Sequence, residues 1–195
     1  CATMNISTTR GDDPRDVEEN KRRLAEAIGV RPEDMTFTHQ THTVNVAVVE
    51  EEDRGKRFME TDGMVTNVPG ICLVTFYADC VPLYLVDPVR KVIGLSHSGW
   101  RGTVNRMGRV TLEKMHEVYG TDPGDVVAAI GPSICQDCYE VSEDVILEFQ
   151  KNFRKEDWDD LYYRKENGKY QLNLWRANEI IFQEAGVKKE HIAVT

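Results

Sequence analysis

The chain has no apolar run near the ~18 residues that a membrane-spanning helix needs, and its mean hydropathy is −0.47. It shows no positively charged start followed by an apolar stretch, so no secretory signal is visible. It has no surplus of positive charge either: 24 Lys and Arg stand against 33 Asp and Glu, a net charge of −9. Binding to a phosphate-rich polymer rests on clustered Lys and Arg that release counterions, so this balance disfavours nucleic acid polymers as partners. It leaves room for a small anionic substrate held by one or two arginines. A second CxxC pair to join Cys135 and Cys138 is missing, which leaves a closed four-cysteine zinc site unsupported. Internal repeats and low-complexity linkers are absent. The five cysteines (Cys1, Cys72, Cys80, Cys135 and Cys138) are odd in number. Without a secretory signal, that points to reduced thiols in a cytoplasm.

What is present fits one domain over residues 1–195, with 41% hydrophobic residues to build its core. The chain opens on Cys1-Ala2-Thr3 and stops inside the apolar run from Ile192, so short segments at both ends are expected to be missing. Asp13 and Pro14 read as a helix start, Gly29 as its end. Residues 35–49 alternate, which puts Gln40, His42, Val44, Val46 and Val48 on one strand face. Residues 71–77 and 81–86 are near-continuous apolar runs, the pattern of strands covered on both faces, and 126–130 reads as another buried strand. Asp87-Pro88 turns the chain so that 92–95 returns as a strand. A helix is expected over 103–119, others after Ser142 and Asn173, and a last strand at 191–194. The charged stretch 151–169 reads as an exposed insertion. Strands mixed with helices, and at least one hairpin, give an α/β or α+β fold with a mixed sheet.

Residues 77–102 carry the strongest chemical signal. Cys80 follows one apolar run, and His97 closes another just before Gly99-Trp100-Arg101. A hairpin between them brings thiol and imidazole to neighbouring strand ends, the raw material of a zinc site or of a cysteine nucleophile with its base. Small residues around His97 let a ligand approach the backbone. His39 and His42 are three apart, so in a strand they point to opposite faces, and His42 is the one on the valine face. His42, Cys80 and His97 together offer three ligands and leave a fourth position open, the composition of a catalytic zinc site. Arg101, near the start of the next helix, is placed to help hold a phosphate. The bland readings are a buried cysteine as a small hydrophobe, a satisfied core histidine, and cysteines 135 and 138 packed locally after the Gly131-Pro132 turn.

In order along the chain, M-N-I-S, R-G-D-D-P, Q-T-H, E-T-D-G-M-V-T, Y-A-D-C-V-P-L, H-S-G-W-R-G, A-A-I-G-P-S-I and C-Y-E-V resemble one family. It is the YfiH-like family, long called multicopper polyphenol oxidase or laccase-like and now described mainly as purine nucleoside phosphorylases with adenosine deaminase and methylthioadenosine phosphorylase activity. The resemblance implies mixed sheets sandwiched by helices in a single domain. It implies one catalytic zinc on His42, Cys80 and His97. It implies a small nucleoside and phosphate as partners, with homo-oligomerisation left open. Substrate-binding roles for Asn5, Gln40 and Arg101 follow from their proximity to the matching motifs. The competing functions are a metal-free cysteine hydrolase or amidase built on Cys80 and His97, and a copper-dependent polyphenol oxidase. Five histidines are few for a multicopper cluster.

Overall fold

The computed structural model of the chain describes residues 4–7 and 11–195. Cys1, counted above among the thiols, and Arg10, which opens the R-G-D-D-P motif, lie outside the described residues. Helix α1 (Pro14–Ile28) starts and stops as its sequence dictates: Asp13 accepts the Arg15 N–H at 2.9 Å, Pro14 takes the first position, and Gly29 closes the helix at φ 74°. Its buried Ala25 packs on Met35 and Phe37.

Residues 35–49 do not form one alternating strand. They split into β1 (Met35–Thr38) and β2 (Val46–Val48), which belong to different sheets. The pattern repeats with β3 (Arg57–Phe58) and β4 (Gly63–Thr66), then with β5 (Cys72–Val74) and β6 (Val81–Asp87). Strands β1, β3 and β5 make a small parallel sheet in the order β3-β1-β5. Strands β2, β4 and β6 join β7 (Val92–Ser98), β8 (Val127–Ile130) and β12 (Ile192–Val194) in a six-stranded mixed sheet of order β12-β8-β6-β7-β4-β2. The chain therefore passes from the small sheet to the large one three times, through residues 39–45, 59–62 and 75–80.

The two sheets meet face to face through a cluster that includes Ala47, Phe58, Met64 and Leu73. Helix α1 covers the outer side of the small sheet. The outer side of the large sheet is covered by α3 (Met107–Tyr119) and α6 (Leu174–Glu184), which follow α2 (Trp100–Val104) and the intervening α4 (Glu143–Asn152) and α5 (Trp158–Leu161). This is the mixed α/β architecture, with helices outside two sheets, that the sequence leads one to expect.

Three local expectations are corrected. The helix expected over 103–119 is two helices, broken at Arg106, whose φ is 64°. The guanidinium of Arg106 pairs with Glu184 at 2.9 Å and lies 4.2 Å from the Phe153 ring, contacts that hold a left-handed residue inside a helical pattern. The charged stretch 151–169 is not a detached insertion. Phe153 and Leu161 enter the main core, and β10 (Tyr162–Arg164) pairs with β11 (Tyr170–Leu172), which pairs with β9 (Glu140–Val141). Of the strands read as covered, β5 has apolar neighbours on both faces, Cys72 and Val74 against the α1 cluster and Leu73 against Met64, but β6 and β8 are covered on one: Tyr84 and Val86 are each 44% exposed and Val127 47%. The small sheet reaches over β2 and β4, and leaves this end of the large sheet bare.

A buried polar knot fastens α6 to the turn after β7. Ser98 Oγ donates to Asn178 Oδ1 at 3.2 Å, Asn178 Nδ2 donates to Thr103 Oγ1 at 3.2 Å, and Thr103 Oγ1 donates to the Gly99 carbonyl at 2.9 Å. All three side chains are fully buried. Truncating Asn178 removes two hydrogen bonds from the core, at about 0.5–1.5 kcal/mol each or about 1–3 kcal/mol together, while Ser98 Oγ and Thr103 Oγ1 still face one another at 3.0 Å. Asn178→Ala is expected to lose stability in that range, read as a lower urea midpoint at unchanged m-value. An unchanged midpoint would show that the knot contributes nothing net.

Candidate metal centre

Each crossing from the small sheet to the large one delivers one part of a single site. The first carries His42, the second Asp62, the third Cys80. His97 comes from β7, where it pairs with Pro82 across the β6–β7 hairpin. That hairpin, expected from the sequence, is what brings Cys80 and His97 together. Alternation along β7 sends Ser96 and Ser98 toward the helices and His97 to the opposite face, toward the crossings.

The ligating atoms of His42, Cys80 and His97 all lie within 4.8 Å of one another. Cys80 Sγ is 4.0 Å from His42 Nε2, and the two imidazole rings meet edge to face at 5.1 Å. His97 is buried, Cys80 half-buried and His42 exposed, so the group opens to solvent on one side. Gly99 makes room for it: a Cβ at that position would fall 2.8 Å from Cys80 Sγ and 3.4 Å from His42 Cδ2.

Asp62 is the residue that sequence reasoning missed. Its carboxylate is fully buried and accepts the backbone N–H groups of Thr41, His42 and Thr43 at 3.1, 3.1 and 2.9 Å, and the Thr43 hydroxyl at 2.8 Å. It also lies 2.9 Å from His97 Nδ1. Burial by itself would raise its pKa, but the hydrogen bonds from His97, Thr43 and Thr41 hold it at about 2. For His97, burial opposes the imidazolium, yet Asp62 and Cys80 outweigh it and push the pKa up to about 9. With Nδ1 committed to Asp62, the other ring nitrogen of His97 is left for a metal or a reacting group. The signal for Asp62 was in the E-T-D-G-M-V-T motif, as a carboxylate placed at the mouth of an apolar strand.

His42 comes to stand beside Cys80 and His97, but not by the strand face expected from the sequence. His42 is not on a strand. It stands in the crossing loop at φ 62°, a conformation non-glycine residues seldom adopt, and three N–H groups gathered on Asp62 hold it there. His39, set aside above, also lines the larger cleft.

That cleft, about 850 Å³, is lined by His42, Cys80 and His97 together with Asn5, Gln40 and Arg57. The Gln40 amide is already spent: it donates to the Phe76 carbonyl at 2.6 Å and accepts the Phe76 N–H at 3.0 Å, tying the first crossing to the third. The side chain of Asn5 holds Asp12 at 2.7 Å and the Ser7 N–H at 2.9 Å. Arg101 is not in this cleft. It lines a smaller one of about 100 Å³ on the other side of Cys80, with Asp79, Trp100, Ile134 and Tyr139, and its guanidinium lies 4.3 Å from the Trp100 ring. Tyr139 is pushed up to about 12, chiefly by burial.

A metal held by these residues passes two tests. Two imidazoles and a thiol are the donors zinc prefers, and bonds of about 2.0–2.3 Å put tetrahedral ligand atoms roughly 3.3–3.8 Å apart, slightly closer than they stand here. Second, the Nδ1 of His97 is oriented by a carboxylate, the usual support of a ligating histidine.

Known proteins share this arrangement of sequence. A purine nucleoside phosphorylase of Deinococcus radiodurans is 42% identical over 178 residues, 91% of this chain and 66% of that protein. Adenosine deaminase RL5, from an unknown prokaryotic organism, is 36% identical over 197 residues, 97% of this chain and 74% of that one. The crystal structure of YlmD from Geobacillus stearothermophilus superposes with a TM-score of 0.92 at 32% identity, over 99% of this chain and 74% of that chain. The family model described as multi-copper polyphenol oxidoreductase laccase matches residues 1–195, and the chain belongs to that family.

Proposed function

We propose that His42, Cys80 and His97 hold one zinc ion and that the chain forms the centre of a purine nucleoside phosphorylase, with adenosine deamination as a second reaction of the same site. The observation that carries this reading is the meeting of three donor atoms within 4.8 Å at the wall of a cleft large enough for a nucleoside. Relatives with the names purine nucleoside phosphorylase and adenosine deaminase support it. When bound, zinc supplies Lewis acidity and a water of lowered pKa.

The chain's own residues do the positioning. Asp62 fixes the ring of His97 and the backbone of His42, so two ligands keep their orientation through one carboxylate. In phosphorolysis a phosphate oxygen bonds to C1′ of the ribose as the bond from C1′ to the purine nitrogen breaks, and the base leaves with a proton. Arg101, beside Cys80, offers that phosphate a local positive charge on an otherwise acidic chain. Arg57 brings a guanidinium to the larger cleft. In deamination the nucleophile is water, at C6 of the purine.

A metal-free cysteine hydrolase would need only Cys80 and His97, and gives no role to the second imidazole 4.0 Å from the thiol. Multicopper chemistry, which the family description names, calls for more ligands than the one three-donor group found among the described residues.

Three outcomes test the proposal. The purified protein should carry close to one zinc by elemental analysis, and Cys80→Ser should lose metal and phosphorolysis together, since a serine hydroxyl stays protonated and binds zinc poorly. Loss of activity with metal retained, and indifference of the wild type to a chelator, would favour the hydrolase. Asp62→Asn should weaken zinc binding about 10–100-fold, the usual effect of removing the partner of a ligating histidine, measured by competition with a chromogenic chelator. Arg101→Ala should raise the phosphate concentration needed to release hypoxanthine from inosine, with zinc content unchanged. Absence of base release at every phosphate concentration, alongside cleavage of an amide, would overturn the nucleoside reading.

A further inference from the structure

The CxxC pair lies outside the proposed metal centre. It was expected to be locally packed, yet Cys135 is half-buried, Cys138 is exposed, and neither belongs to a core cluster. The two stand at either end of one tight turn, closed by the Cys138 N–H donating to the Cys135 carbonyl at 3.1 Å. The Tyr139 N–H bonds the same carbonyl at 3.1 Å. An i to i+3 turn keeps its ends within about 7 Å, and two Cα atoms roughly 4.4–6.8 Å apart can be bridged by a disulfide. The turn is fastened from outside: Gln171 Nε2 donates to the Asp137 carbonyl, and the Leu172 N–H donates to the Tyr139 carbonyl at 3.0 Å.

The surroundings of the two thiols differ. The neighbouring Cys138 thiol, together with the backbone N–H groups of Cys138 and Asp137 in the same turn, lowers the pKa of Cys135. Cys138 is raised by its neighbour. A third donor for a metal does not join them among the described residues. What remains is a reactive thiol next to a resolving one, open to solvent, the arrangement of a thiol–disulfide exchange site.

We propose that Cys135 and Cys138 form a redox-active dithiol that reacts with low-molecular-weight disulfides, Cys135 attacking and Cys138 resolving. The Cys135 thiolate bonds to one sulfur of the disulfide RSSR and expels RS⁻. The Cys138 thiol then gives up its proton and attacks the Cys135 sulfur of the mixed disulfide, expelling the second RS⁻. The protein dithiol is oxidised by two electrons, and RSSR is reduced to two RSH. The pair is one residue away on each side from Ile134 and Tyr139, which line the smaller cleft with Cys80 and Arg101.

The test uses the zinc-loaded protein and oxidised glutathione as the probe, with alkylation of remaining thiols and peptide mass mapping. In the wild type, the peptide holding Cys135 and Cys138 should lose two hydrogens and resist alkylation, while Cys72 stays alkylatable. In Cys138→Ser, a glutathione adduct should build up on Cys135 about tenfold faster than on Cys72, the gap that a more available thiolate gives. In Cys135→Ser, adduct on Cys138 should form no faster than on Cys72. No internal disulfide in the wild type, or adducts spread evenly over Cys72, Cys135 and Cys138, would overturn the proposal. The wild-type arm needs no substitution, so a variant that fails to fold cannot protect it.

Discussion

The carboxylate of Asp62 organises the site more than any of the three clustered side chains, His42, Cys80 and His97, does. A buried charge is tolerable only when its oxygens are fully engaged, and this one collects three backbone N–H groups, a hydroxyl and an imidazole. The bonds stabilise the anion and, by the same contacts, dictate shape. They bend residues 41–43 into an arc, force His42 into a left-handed backbone and turn His97 edge-on to it. The Asp62 carbonyl accepts the His97 N–H at 2.7 Å as well, so main chain and side chain both hold the same neighbour. Removal of the charge would release the arc and the ring together.

The topology explains why one carboxylate can reach so much. Two facing sheets are built by a chain that alternates between them, and every crossing from small to large sheet must pass the same seam. Three crossings, each short, therefore stack their side chains at one place. The ladder that binds them is dense: the His39 N–H bonds the Phe58 carbonyl at 2.8 Å, and the Thr61 N–H returns to the His39 carbonyl at 3.1 Å. Irregular backbone at such a seam stays rigid because its polar groups are paired with one another. Rigid strands then fix the positions of residues that stand on loops.

The sequence disclosed the parts whose cause is local. Asp13, Pro14 and Gly29 mark their helix because capping is chemistry between near neighbours. The β6–β7 hairpin was legible from Asp87-Pro88 between two apolar runs, and with it the approach of Cys80 to His97. Features set by distant contacts stayed hidden. An alternating stretch from 35 to 49 looks the same whether it remains in one sheet or changes sheets midway. A carboxylate at the mouth of an apolar strand marks Asp62 out, but Thr61-Asp62-Gly63 alone does not tell a solvated turn from a buried hub. Arg106 reads as an ordinary helical residue until Glu184 and Phe153 are seen around it. The valines of β6 and β8 say that a strand is apolar, without saying how much of its surface finds a cover.

That uncovered surface has a colloidal consequence. Val86 pairs across the ladder with Ile93 on one side and Val127 on the other, so these side chains and Tyr84 form one continuous apolar strip. Two forces of different range then govern encounters between copies of the chain. The net charge of −9 repels them at a distance, and the strip attracts them at contact. Salt shortens only the first of these, to about 10 Å at 0.1 M and about 3 Å at 1 M. Raising ionic strength therefore moves the balance toward self-association, and the residues that meet first are those of an open β-sheet face.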